Sequence, residues 1–274
     1  MPAAALAAAV PAPREQIAEP GNDPASLLAA LRDDPVARLR SGRELARRRA
    51  ETSPAEPLPT GLAALDRLLD GGLPRGRLVE LVGRRSSGRF ATVLATLAAA
   101  TTRGQATALV DLDSGLEPAT VVAAGASLER LLWVRPKSLR QAALVTEMLL
   151  ATGFPLVVLD LGSPPVPGGR GPQAVWLRLA RATLDRGAAL LVASPYRASG
   201  AAAAVVLAAG RAQPIWNGHG HAPRLLTGLR SCLTLEKRRD GQPARPTETL
   251  SLRTTTAPGD PVATTTAAVA FTRP

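Results

Sequence analysis

The sequence predicts an α/β domain: a mostly parallel sheet flanked by helices, with a C-terminal antiparallel hairpin and an N-terminal helical appendage. Three observations carry this prediction. From Leu58 onward, apolar runs of strand length alternate with runs of helical length, as in sheets whose strands are covered on both faces by crossover helices. One of these strands runs into a loop bounded by Gly83 and Gly88 and then into a helix. Finally, the last two apolar stretches are split by Lys237-Arg238-Arg239-Asp240-Gly241, and Asp-Gly in a charged break suits an antiparallel turn.

Taken in order, residues 1–22 are rich in Ala and Pro and read as a disordered leader. Asp23-Pro24 opens a helix, with Asp as N-cap and Pro in the first turn, and a second helical stretch runs from Pro35 to Ala50. Thr52 to Pro59, with three prolines, is a linker. Residues 1–57 are therefore set apart from a core over 58–254, and 255–274 read as a flexible tail. Within the core the expected strands are Arg77–Val82, Ala106–Asp111, Leu131–Arg135, Leu156–Leu161 and Ala188–Ala193, with the hairpin strands Leu229–Glu236 and Thr247–Arg253. The expected helices are Gly88–Thr102, Pro118–Ala124, Leu139–Ala151 and Gln173–Asp185.

Composition bounds the function. The 274 residues carry 33 Lys+Arg against 22 Asp+Glu, a net charge of +11. Only Lys137 and Lys237 are lysines; an Arg- and Ala-rich bias of this kind also follows from a GC-rich genome, so the charge permits a phosphate-bearing partner without establishing one. Aromatics at 3% are too few for a base-stacking platform. The single cysteine, Cys232, excludes a disulfide framework or thiolate zinc cluster and fits a cytoplasmic location. His219 and His221 have no local carboxylate or thiol to complete a metal site. No apolar run reaches the ~18 residues of a membrane span, and the N-terminus lacks the basic start of a signal peptide.

Chemistry concentrates in Gly83-Arg84-Arg85-Ser86-Ser87-Gly88-Arg89-Phe90. A strand, a Gly-bounded turn and a helix N-terminus form the setting of a phosphate-binding loop. Gly83 and Gly88 have the required spacing. The next two positions do not fit: a working loop has Lys, whose ammonium reaches the β and γ phosphates, then Ser or Thr, whose hydroxyl ligates Mg²⁺. Arg89 is longer and forked, and Phe90 has no oxygen for a metal.

The approach to this loop, Thr60-Gly61-Leu62 through Leu65-Asp66, Gly71-Gly72-Leu73-Pro74 and Gly76-Arg77-Leu78-Val79-Glu80-Leu81, closely resembles the ATP-site region of RecA-type recombinases. Further matches follow in order: Val110-Asp111-Leu112-Asp113 through Glu117-Pro118, Gly125-Ala126-Ser127 through Arg135-Pro136, and Val157-Val158-Leu159-Asp160 where a Walker B strand belongs. Among RecA relatives the combination is most similar to ImuA, a RecA-like accessory protein of inducible mutagenesis. The resemblance implies a RecA-like fold of the P-loop NTPase type and a role in SOS-inducible translesion DNA synthesis. The implied partners are an ImuB-like Y-family polymerase homologue, a DnaE-type error-prone polymerase, RecA itself and single-stranded DNA, with recruitment to the nucleoid on damage and no membrane partner.

Against the RecA pattern, the lysine falls on Arg89, the metal hydroxyl on Phe90, and the water-activating glutamate on Asp113, one methylene short. Glu117 takes the acidic place near adenine, Thr120 that of a stacking tyrosine, and Pro195 lies where a γ-phosphate-sensing glutamine belongs. Asp160 alone keeps its type. The expectation is a degenerate nucleotide site formed by Gly83, Ser86, Ser87, Gly88, Arg89, Phe90, Asp113 and Asp160, with no catalytic residues, no resident cofactor and room only for weak ATP/Mg²⁺ binding. The family's two DNA loops would correspond to Pro164–Gln173, carrying Arg170, and Tyr196–His221, carrying Arg197 and Arg211; Tyr196 and Trp216 could stack bases. Two alternatives stay open: a divergent DNA-dependent ATPase with Arg89 replacing lysine, and a SulA-like inhibitor of cell division acting by protein binding.

Overall fold

The computed structural model describes residues 56–162, 173–218, 224–239 and 247–253. The helices expected before residue 56, Arg170, His219 and His221, the Asp240-Gly241 turn and the C-terminal tail lie outside them. The elements in chain order are α1 (Ala63–Leu68), β1 (Arg77–Gly83), α2 (Arg89–Thr102), β2 (Thr107–Asp111), α3 (Pro118–Ala123), a 3-10 turn (Leu128–Arg130), β3 (Leu131–Val134), α4 (Leu139–Ala151), β4 (Leu156–Asp160), α5 (Gln173–Arg186), β5 (Ala189–Ser194), β6 (Val205–Ala209), β7 (Gln213–Asn217), β8 (Leu225–Arg238) and β9 (Glu248–Arg253).

Six strands form a parallel sheet in the order β3-β2-β4-β5-β1-β6. β8 then pairs antiparallel with β6 through its C-terminal half and with β7 through its N-terminal half, and β9 pairs with β8. The central strands are buried on both faces because their side chains alternate between two apolar cores. Leu156, Val158 and Leu191 join α1, α2 and α3 on one face; Val157, Leu159 and Leu190 join α4 and α5 on the other. Each leucine so buried contributes about 1.5–3 kcal/mol.

Local chemistry sets the ends. Ser138 caps α4 by accepting the Gln141 N–H at 3.3 Å, while the Gln141 Oε1 accepts the Lys137 N–H at 2.9 Å. The Thr60…Asp66 pair closes the turn into α1: the Asp66 Oδ1 accepts both the Thr60 N–H (2.8 Å) and its hydroxyl (2.7 Å).

The expected fold class and every expected core helix and parallel strand are present, with ends within a residue or so. The antiparallel hairpin is also present, although β8 begins at Leu225 rather than Leu229. One expectation is corrected. Tyr196–His221 is not a single loop, because β6 and β7 lie within it. The run Ala201–Ala209 reads as small and apolar because its second half is a strand covered on both sides, by β1 and by β8.

Glu80 is a fully buried carboxylate in the middle of β1. It accepts the backbone N–H groups of Ala198 and Ser199 and the Ser199 hydroxyl, which fixes the segment between β5 and β6. Glu80→Ala leaves these donors buried without acceptors. It is expected to cost about 3 kcal/mol in urea unfolding and to speed hydrogen exchange at Ala198 and Ser199.

Candidate functional site

The site lies at the C-terminal end of the parallel strands, where ligands bind in open α/β sheets. β1 delivers Gly83, the loop delivers Ser86 and Ser87, and α2 begins at Arg89 after Gly88. The end of β2 supplies Asp111 and the segment beyond it Asp113, while β4 ends on Asp160. Gly88 has φ +85°, and a Cβ there would lie 2.9 Å from the Leu252 side chain, so glycine is required on both counts. Ser87 is buried; its Oγ accepts the Arg89 N–H at 3.3 Å, and its carbonyl accepts the Ser231 hydroxyl at 2.6 Å. The loop is thereby tied to β8.

Arg89 occupies the centre. Its side chain is only 7% exposed. One guanidinium nitrogen donates to the Gly83 carbonyl and the other to the Gly162 carbonyl, both at 2.8 Å. The second also lies 3.6 Å from the Asp160 Oδ1, while Nε is buried without a partner. A cation in the first turn opposes the helix dipole, so these acceptors are what hold it there. Burial pushes the Arg89 pKa below its usual value, and Asp160 and Asp113 pull it back up. Burial raises Asp160 above the ordinary carboxylate range; Arg89 and the Gly162 N–H oppose that, and Asp111 and Asp113 add to it.

The other acids are partly committed. Asp111 accepts the Gly115 and Leu116 N–H groups at 3.3 and 3.0 Å and the Trp133 Nε1–H at 3.3 Å. Asp160 accepts the Gly162 N–H at 3.0 Å, the role of a strand-end carboxylate folding the next turn. Gly162 has φ +77°, and a Cβ would meet that of Asp113 at 2.3 Å. The close approach of the two segments therefore depends on that glycine.

Arg84, Arg85, Ser86, Gly88, Arg89, Phe90, Asp113 and Asp160 line one cavity of about 340 Å³. The structure thus brings together the residues singled out in the sequence, with Gly83 and Ser87 immediately behind them. Arg84 and Arg85 on its rim were missed as site residues; their signal was their place inside the loop. Glu117 bonds the Thr120 hydroxyl at 3.3 Å. Arg197 is paired with Glu236, whereas Arg211 is exposed in the turn between β6 and β7. The basic run is braced as well: Lys237 donates to the Gly200 carbonyl and Arg239 to that of Ala201. Tyr196 packs against the core, and Trp216 is exposed. Among the described residues no cluster of His, Cys, Asp and Glu could hold a metal, and no helix is long and apolar enough to cross a membrane.

Two of the residue types that a working loop turns on a Mg²⁺-bound triphosphate, the lysine and the hydroxyl after it, are replaced here by Arg89 and Phe90. The guanidinium lies between the Gly83 and Gly162 carbonyls and beside Asp160, and the cavity stays open next to it.

The fold and loop define a P-loop-type α/β domain in which the arginine at the lysine position bonds two backbone carbonyls. The family described as RecA N-terminal domain matches residues 43–168. The chain is 38% identical to Protein RecA of Leifsonia xyli subsp. xyli over 119 residues, 43% of this chain and 33% of that protein. It is 37% identical to Protein RecA of Symbiobacterium thermophilum over 131 residues, 47% of this chain and 36% of that protein. The chain thus spans about a third of the length of the curated relatives it matches. The fold is RecA-like, and these matches support membership of the RecA superfamily.

Arg89→Ala removes the strongest influence opposing the raised Asp160 pKa and leaves an uncompensated buried carboxylate. A folded pKa above the unfolded one means that ionisation is penalised, so stability is full below the unfolded pKa and is lost as pH rises through the folded one. The variant is therefore expected to lose about 3–5 kcal/mol near neutral pH. That loss should shrink as pH falls into the carboxylate range, as read by urea unfolding across a pH series.

Proposed function

We propose that the protein is a non-catalytic, ImuA-like accessory subunit of the RecA superfamily acting in SOS-inducible error-prone translesion DNA synthesis. In this reading it works in the cytoplasm, moves to the nucleoid on damage, and recruits or positions a complex of an ImuB-like Y-family polymerase homologue and a DnaE-type polymerase. The observation that carries the reading is the guanidinium of Arg89 seated between Gly83 and Gly162. Phosphoryl transfer depends on cationic groups and a metal placed around the developing charge, and here the one internal cation is spent on backbone carbonyls and Asp160. What such a domain retains is its surface. Arg84, Arg85 and Arg211 are exposed toward one end of the sheet and suit salt-sensitive, sequence-independent contact with single-stranded DNA.

Purified protein is expected to hydrolyse Mg²⁺-ATP at background rate with or without single-stranded DNA, and to co-purify with the polymerase homologue. Brisk Mg²⁺-dependent turnover that disappears in Arg89→Ala would support the divergent ATPase instead. Capture of a cell-division protein in place of the polymerase would support the SulA-like alternative.

The arginine also makes a gain of function testable. Arg89→Lys combined with Phe90→Thr restores the residue types of a working loop. Mg²⁺-ATP is expected to raise the thermal midpoint of this double variant and leave that of the parent unchanged, measured by differential scanning fluorimetry.

A further inference from the structure

We propose that the outer face of α4 and α5 is a docking surface for an acidic amphipathic helix of a partner protein. Leu144 and Met148 on α4 and Leu177 on α5 are 51%, 61% and 51% exposed, although both helices bury well-formed faces through Leu149, Leu150, Trp176 and Leu179. Scattered exposed leucines need no explanation, but apolar side chains grouped on one face do. The salt bridge between Glu147 and Arg178, 3.1 Å, ties the two helices together.

The helical screw brings the three side chains to one side of that bridge. Both helices return from one parallel strand to the next across the same face of the sheet, so they run in the same direction. Met148 lies about 100° beyond Glu147 on its helix, and Leu177 about 100° before Arg178 on its own. On parallel neighbours these opposite turns lead to the same side, away from the sheet. Leu144 and Met148 form one ridge a helical turn apart and Leu177 the other, with the ion pair between them. Such a shallow groove takes a helix through anchors at i, i+3 or i+4 and i+7.

Charge identifies the occupant. Arg178 and Glu147 neutralise one another, which leaves Arg140, Arg181 and Arg186 as the exposed cations of these two helices against Asp185. A partner with carboxylates flanking its apolar stripe complements that rim. A second copy of this chain would bring the same arginines and a net charge of +11 to the contact. A nucleic acid would find phosphate ligands here, but the one aromatic ring of these two helices, Trp176, is buried and offers no face on which to stack a base. None of these residues belongs to the phosphate loop, so the inference stands apart from the reading of that site.

The test uses the full chain and a fluorescein-labelled synthetic peptide of about 18 residues, with leucines at the helical spacing of one face and glutamates elsewhere. In fluorescence anisotropy the peptide is expected to bind, and a version with lysine for glutamate is not. Leu144→Ser with Leu177→Ser should weaken binding at least tenfold, and Arg181→Glu several-fold, with thermal melts unchanged because all three side chains are exposed. Equal binding of a composition-matched scrambled peptide, indifference to these variants, or no binding to the full chain would overturn the proposal. So would displacement by a single-stranded oligonucleotide, or a concentration-dependent dimer in sedimentation that Leu144→Ser abolishes.

Discussion

A guanidinium held between two backbone carbonyls closes the C-terminal end of the parallel sheet. Gly83 ends β1 and Gly162 follows β4, and β5 lies between those strands. Arg89 therefore links segments that are not sheet neighbours. The same group faces Asp160 and Asp113, which converge there because strands of one direction deliver their ends to one edge. A carboxylate buried near other acids, as Asp160 is, needs a cation or must bind a proton. Here the chain supplies the cation itself, from the first turn of the helix that follows the phosphate loop.

Arginine suits this task better than lysine would. Its planar fork reaches two carbonyls in different directions while presenting charge to a carboxylate, whereas an ammonium concentrates its charge at one point. Seating it requires the rest of the loop to conform. Ser87 turns inward onto the Arg89 N–H, Gly88 passes under Leu252, and the Gly162 turn closes over Asp113. Phe90, in the first turn of α2, is partly buried against the core on that face of the sheet. Substitutions that look like isolated losses in a phosphate site are thus parts of one packed arrangement, set against the cavity that the loop lines.

The sheet and its helices were legible because periodicity reports burial, and the central strands are buried on both faces. The loop was legible for a different reason: Gly83 and Gly88 are fixed by close approach and backbone conformation, which leave a mark at fixed spacing. What the sequence hid was where long side chains go. Arg89 reads only as a misfit at the lysine position, and its fold back onto two carbonyls is advertised by no sequence pattern. Arg197 reads as a free loop cation, but its partner Glu236 lies 39 residues away on β8. β6 and β7 were missed because the Ala-rich run before β6 lacks β-branched bulk, and Pro214 interrupts β7, as it can on a strand lying beside only one neighbour.

Glu80 extends the argument beyond the loop. Where the resemblance would place a side-chain amide sensing a γ-phosphate, the chain has Pro195, which has no donor to move. The residues that follow are held from below by Glu80 through the Ala198 and Ser199 amides, and from the side by Lys237 and Arg239 on the carbonyls of Gly200 and Ala201. Arg197 is pinned to Glu236. The conformation of this segment is consequently tied to β1 and β8, strands of the permanent sheet. With Arg89 bonded to backbone carbonyls at the loop and the adjoining segment riveted to the sheet, internal charge pairing holds the strand ends on both sides of β1.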